Sequence, residues 1–220
     1  MVNIKVYKNA FRTYTASGHP VSRKPVCLER ALQQKYALLK GGEELRSYSL
    51  SDADMKTIIP TLKVLTYPEL LQYSNIDDAL DEKGRLMLLY LTENENTGHW
   101  VCLLKSKDGK KLEFNDSYGG YKPDQESEWI SKSKLHQFKQ DTGYLTDLLK
   151  KCPYKVVYNK YPFQSEKNGV NTCGRHAVTR LYFKHLTLPE YTKMIIGEAE
   201  ANKCSPDDVV CNFTKNIIGK

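Results

Sequence analysis

The sequence predicts an α+β fold, a central and mostly antiparallel sheet flanked by helices, and three observations point to it. Asp108-Gly109 joins the apolar runs "HWVCLL" and "KLEFND", which is the strongest short-range hairpin signal in the chain. Before them "RLMLLYL", residues 85–91, is a continuous apolar run between polar loops, the pattern of a buried strand. Segments with helical spacing and recognisable caps then precede and follow this three-stranded nucleus.

In chain order, "PVCLERALQQKYALLKGG" (25–42) places Cys27, Ala31, Leu32, Leu38 and Leu39 at helical spacing and stops at a glycine pair suited to a C-cap. "SLSDADMKTII" starts a helix at Ser51, with Asp52 and Asp54 at the positive end of its dipole, and Pro60 ends it. "YPELLQYSNIDDALDEKG" reads as two short helical turns closed by Gly84. Beyond the three strands, "PDQESEWISKSKLHQF" (123–138) and "YLTDLLKKC" (144–152) read as helices and "YKVVYN" (154–159) as a strand. Further helices are expected from Cys173, from Pro189, and from Pro206 behind a Ser205 N-cap.

A chain of 220 residues is long enough for one well-buried core, and 40% apolar with 27% charged residues is the composition of a soluble globular protein. No window reaches the roughly eighteen apolar residues of a membrane span, so no membrane partner is expected. The first residues, MVNIKVYKNAFRTY, lack the apolar core of a secretory signal, which predicts an intracellular life. Six scattered cysteines in so long a chain are read as reduced thiols. The net charge of +7 is uneven, because residues 1–46 carry nine Lys/Arg against Glu29, Glu43 and Glu44. That excess of basic groups could meet a polyanion such as DNA; the plainer alternative is a solvated face.

His99 and Asp116 are unusual residues for strand ends. If Asp108-Gly109 is a two-residue turn, Leu103 opposes Phe114, and His99 and Asp116 become diagonal neighbours on one face, with Asn115 on the other. A three-residue loop would exchange Asp116 and Asn115. A carboxylate beside an imidazole orients it and stabilises its protonated form, as a general base requires, although a buried structural His-Asp pair is also common. A candidate nucleophile lies in "FQSEKNGVNTCGRHAVTRLYFKHL". Cys173 stands where a helix begins, and unpaired N–H groups there favour thiolate and can bind an oxyanion. Gly174 would let a substrate backbone approach. The alternative for Cys173 is the usual fate of a free cysteine, a small buried hydrophobe. His176 has no obvious carboxylate orienter in the sequence and reads as structural.

The order His99-Trp100, Asp116-Ser117, a glutamine, then Cys173-Gly174 resembles the adenovirus-type (adenain-like) maturation proteases and the related SUMO-deconjugating cysteine proteases, together clan CE. The pattern "GHWVCLL…LEFNDSYG…NTCGRHAVTR", over about residues 85–190, most resembles the members carried by virophages and other large-DNA-virus or transposon-like elements. This resemblance implies one cysteine protease domain over 1–220, with a basic N-terminal helical part (1–46) and a C-terminal helical part (189–218). It implies a cysteine endopeptidase with His99 as base, Asp116 as its orienter, Cys173 as nucleophile, Trp100 as a shield over the pair, and a glutamine as oxyanion donor. Gln164 is the natural donor, but it stands nine positions before Cys173, longer than the family's interval, and Asn168 is the alternative. Implied substrates are capsid or core precursor proteins cut after small residues such as Gly. The setting would be the host cytoplasm and the virion, with non-specific DNA contact through the basic part and no cofactor or metal. The rivals are a deconjugase acting on a ubiquitin-like protein and, in another class, a protein holding zinc through Cys173, His176, Cys204 and Cys211, or DNA.

Overall fold

The computed structural model describes residues 42–125 and 130–218, with side chains up to 215. The helix expected over 25–42 lies outside them except for Gly42, as do Lys5, Lys8, Arg12, Arg23 and Lys24 of the basic part. Two short helices come first, α1 (Gly42–Ser47) and α2 (Asp52–Ile58). Ser51 caps α2 as expected: its hydroxyl accepts from Asp54 N, while the Asp54 carboxylate accepts from Ser51 N. Strand β1 (Val64–Thr66), which the sequence did not announce, leads into a 3₁₀ turn (Tyr67–Gln72) and α3 (Ile76–Ala79). Gly84, at φ +70°, then turns the chain into β2 (Arg85–Asn94).

Strands β3 (Thr97–Lys105) and β4 (Lys111–Asn115) form the expected hairpin. After them come α4 (Lys132–Gln137), α5 (Tyr144–Lys151) and β5 (Lys155–Tyr158). The helix expected over 123–138 is shorter than its sequence pattern, since Pro123 and Asp124 lie in a turn and Asp124 has φ +69°. The chain ends with α6 (Cys173–Tyr182), α7 (Leu188–Asn202) and α8 (Pro206–Ile218). Ser205 caps α8 through a reciprocal pair with Asp208. Asp208 also binds Arg46 at 3.2 Å, which neutralises one of the basic residues counted in 1–46.

The sheet order is β1-β2-β3-β4-β5. Its centre, β2-β3-β4, is antiparallel as the hairpin signal requires. The edge strands run parallel to their neighbours because helical crossovers carry the chain back across the sheet, and the whole sheet is therefore mixed. Both faces are covered. Leu86, Leu88, Tyr90, Val101, Leu103, Leu112 and Phe114 pack with residues of the 3₁₀ turn, α3, α4 and α5. Met87, Leu89, Trp100, Cys102 and Leu104 pack with α2 and α6. This two-sided burial explains why "RLMLLYL" is apolar without alternation. Among the described residues, no helix is long and apolar enough to cross a membrane.

Leu103 lies opposite Phe114 and Cys102 opposite Asn115, the register that a two-residue turn predicts. The turn itself is longer: Ser106 N donates to Lys111 O and Gly109 N to Ser106 O, so it wraps residues 107–110. Two-residue and four-residue loops share the same parity, and the facing of every side chain survives.

On the face of β4 toward α6, Glu113 makes a bidentate pair with Arg180, at 2.7 and 2.8 Å. Arg180 also donates to the carbonyls of Phe183 and Leu186, and Tyr191 stacks beneath its guanidinium. A buried ion pair with its remaining donors satisfied pins α6 to the sheet, and removing either partner would strand a charge.

Gly98 has a steric role that its sequence context hides. A Cβ there would lie 1.9 Å from Tyr90 O, inside the β2-β3 ladder next to His99. Gly98→Ala should therefore lower unfolding stability by about 3 kcal/mol or more in urea titration. Gly109→Ala, which meets no neighbour but must keep φ +67°, should cost only about 1–2 kcal/mol. Equal effects would mean that the β2-β3 pairing tolerates the extra atom.

Candidate active site

The register brings His99 and Asp116 together: His99 Nε2 is 2.8 Å from Asp116 Oδ1, and both side chains are buried. Asn115 points the other way, its amide donating to Glu113. Asp116 is tightly held. Its Oδ1 also accepts from Tyr118 N at 2.9 Å. The Asn159 side chain reads both backbone groups of Asp116, with Oδ1 accepting from its N–H at 2.9 Å and Nδ2 donating to its carbonyl at 2.6 Å. Asn159, buried just past β5, thus replaces a strand partner where the β4 ladder ends, a role a single asparagine in sequence does not reveal.

Cys173 is the first residue of α6 and hydrogen-bonds His99. Since Asp116 occupies Nε2, Nδ1 is the ring nitrogen left for the thiol. Burial alone would push the thiol up. The hydrogen bond and charge of His99, joined by bonds to the Trp100 and Gly174 backbone, outweigh burial and leave Cys173 below the ordinary thiol value. For His99, burial opposes the charged form, yet the charge and hydrogen bond of Asp116, and then Cys173, carry the imidazole well above its usual value. Both shifts favour a thiolate beside an imidazolium.

Two buried cysteines shift the other way. Burial pushes Cys211 up to about 12 and Cys102 higher still. Gly174 has a packing role rather than a substrate-facing one: a Cβ would lie 2.7 Å from Met55 Cε and 3.1 Å from Trp100 Cδ1. Trp100 itself packs in the core between the sheet and α6 while its backbone faces the thiol.

Gln164 is buried against the two residues that follow Asp116. Its Oε1 accepts from Ser117 Oγ at 2.7 Å, which directs Nε2 toward Val170 O at 3.1 Å and the Tyr118 hydroxyl at 3.5 Å. Tyr118 in turn stacks on His99, with ring centroids 4.9 Å apart. Asn168 lies exposed in the turn at Gly169. In the sequence Ser117 stood out only as part of the Asp116-Ser117 pair, and neither it nor Tyr118 carried a role, although both follow Asp116 directly.

His176 does have a carboxylate partner, contrary to expectation. Asp207, from the start of α8, lies 3.0 Å from its Nε2 and also accepts from Thr172 Oγ1 at 2.5 Å and Ser165 N at 3.1 Å. Burial would raise the Asp207 carboxyl, but its bond to and charge from His176, with Thr172 and Ser165, hold it below the usual carboxylate value. This second His-Asp pair is buried and ties the start of α6 to α8. The zinc arrangement considered for Cys173, His176, Cys204 and Cys211 does not form, since His176 is engaged by Asp207 and no group of three or more His, Cys, Asp or Glu is placed to hold a metal among the described residues.

The chain is 37% identical over 176 residues to the Sputnik virophage protein named "Uncharacterized protein V9", a match spanning 78% of this chain and 99% of that protein. It belongs to the V9 family of virophage proteins. No family model matches the chain. Among solved structures, this V9-family protein is similar to the C-terminal Ulp1 protease domain in complex with Smt3, the yeast ortholog of SUMO (14% identity, TM-score 0.34, covering 91% of this chain and 100% of that one). It is also similar to ChlaDub1 from Chlamydia trachomatis (12% identity, TM-score 0.32, covering 83% and 78%).

Asn159→Ala should release the backbone of Asp116 and loosen its hold on His99. The charge that favours thiolate weakens, so alkylation of Cys173 by iodoacetamide near pH 6 should slow by about tenfold and its pH profile should move up toward that of an ordinary thiol. An unchanged profile in a folded variant would mean that Asn159 has no part in holding the pair.

Proposed function

We propose that this V9-family protein is a cysteine endopeptidase, a reading carried by one observation: the buried Cys173–His99–Asp116 array at a helix N-terminus. The Cys173 thiolate attacks a peptide carbonyl carbon and a C–S bond forms. The developing oxyanion is met by the Gln164 amide and the Cys173 backbone N–H. Collapse breaks the C–N bond, and the leaving amine takes its proton from the His99 imidazolium, which Asp116 keeps oriented. Water, activated by neutral His99, then attacks the thioester, releasing the carboxylate and restoring the ion pair.

The virophage family supports a viral setting for this chemistry. In that setting the substrates are capsid or core precursor proteins cut during virion maturation after small residues such as Gly, and the enzyme works at the cytoplasmic assembly site and within the particle. The basic excess over residues 1–46 supports a weak, sequence-independent contact with duplex DNA that would confine enzyme and substrate to one polymer.

Co-expression with the capsid protein of the same genome should give cleavage products by mass spectrometry, absent with Cys173→Ala. Asp116→Ala should reduce turnover by about 10²–10⁴-fold per folded molecule, whereas Asn115→Ala should be mild. Cleavage that survives Cys173→Ala would sink the proposal, while fragments ending in a ubiquitin-like Gly-Gly, with capsid untouched, would favour a deconjugase.

A further inference from the structure

Beside the array lies a cavity of about 360 Å³, lined by Tyr118, Gly119, Gly120, Tyr121, Gln125 and Glu166. It shares a wall with the site, because Tyr118 stacks on His99 and receives the Gln164 amide. The wall is rigid at one point: a Cβ on Gly119 would meet the Tyr161 and Pro162 backbone at 2.5–2.6 Å, so the loop after Asp116 is pressed onto the segment before Gln164. Gly120, at φ +78°, faces open space and leaves the cavity floor without a side chain. Glu166 is the one formally charged residue of the lining. Its side chain is exposed, and it forms no ion pair among the described residues.

We propose that this cavity is a subsite for a basic side chain of the substrate peptide, lysine or arginine, selected by Glu166 and by the faces of Tyr118 and Tyr121. The inference rests on the endopeptidase reading and adds a specificity to it. Its size suits one long side chain rather than a folded partner. Two phenol rings and a carboxylate form the combination that attracts an ammonium or guanidinium, through the ring quadrupole and through charge. The local field agrees: burial, then the negative charges of Cys173, Asp116, Glu166 and Asp207, push the Tyr118 hydroxyl up to about 12. Glu166 supplies the one formal charge of this lining, of the sign that attracts a cation.

The test uses two methanethiosulfonates that modify Cys173, one bearing a trimethylammonium group and one a sulfonate, and takes the ratio of their rates so that the nucleophilicity of the thiol cancels. Glu166→Gln should lower the cation-to-anion ratio by about fivefold, the effect of one charge across several ångströms of partly solvated medium, and Glu166→Lys should lower it further. An unchanged ratio overturns the subsite whatever peptides are cut. Paired fluorogenic peptides, with lysine or norleucine at each position flanking the cleaved bond, then identify the occupant. Cleavage at least about fivefold faster with lysine at one position, lost in Glu166→Gln, supports the proposal, and equal cleavage overturns it. A ratio that falls while no peptide is cleaved sinks the endopeptidase reading itself and removes the peptide as occupant.

Discussion

In the β3-β4 hairpin Leu103 faces Phe114, and every feature of the candidate site descends from that pairing. Strand side chains alternate, so this one register sends Phe114 and Leu112 to one core while Glu113 and Asn115 face the other. Glu113 there meets Arg180 and holds α6 on the sheet, and α6 begins with Cys173. Asp116, one residue beyond the ladder, falls on the side of His99. A slip by one residue would bury Phe114 against Arg180 and take Asp116 away from the imidazole.

The electrostatics follow from the same placement. Burying a thiol and an imidazole separately would neutralise each one, since desolvation opposes both charged forms. Placed in a row they reverse that outcome, and Cys173 is lowered while His99 is raised. The array holds only if its members cannot drift, and the fold secures each from outside. Asn159 clamps the backbone of Asp116, Gly98 allows β2 to lie close beside His99, and Gly174 lets α6 press against Trp100. The His176–Asp207 pair ties the start of α6 to α8.

Much of this was legible in the sequence because it depends on local rules. The Asp108-Gly109 signal set the parity of the hairpin even though the loop proved longer, since four residues and two turn the chain with the same facing. Ser51 and Ser205 announced their helices because capping is a short-range hydrogen bond. The features that escaped are long-range. Strand β1 is only three residues long and exists through its parallel pairing with β2. Asp207 reaches His176 from 31 positions away, and Asn159 reaches Asp116 from 43. Gly174 was legible as a glycine but not in its purpose, which is set by Met55 and Trp100 from other elements.

Everything at this site turns on His99 holding the Cys173 thiol below the ordinary thiol value. The ultraviolet absorbance of thiolate, followed against pH as the difference between the native protein and Cys173→Ser, tests it most directly. A thiolate signal should titrate with a midpoint below the ordinary 9.0 in the native protein and at a higher pH in the His99→Ala protein. A difference signal that appears only as pH rises through 9.0 or beyond, and is insensitive to His99→Ala, would contradict it.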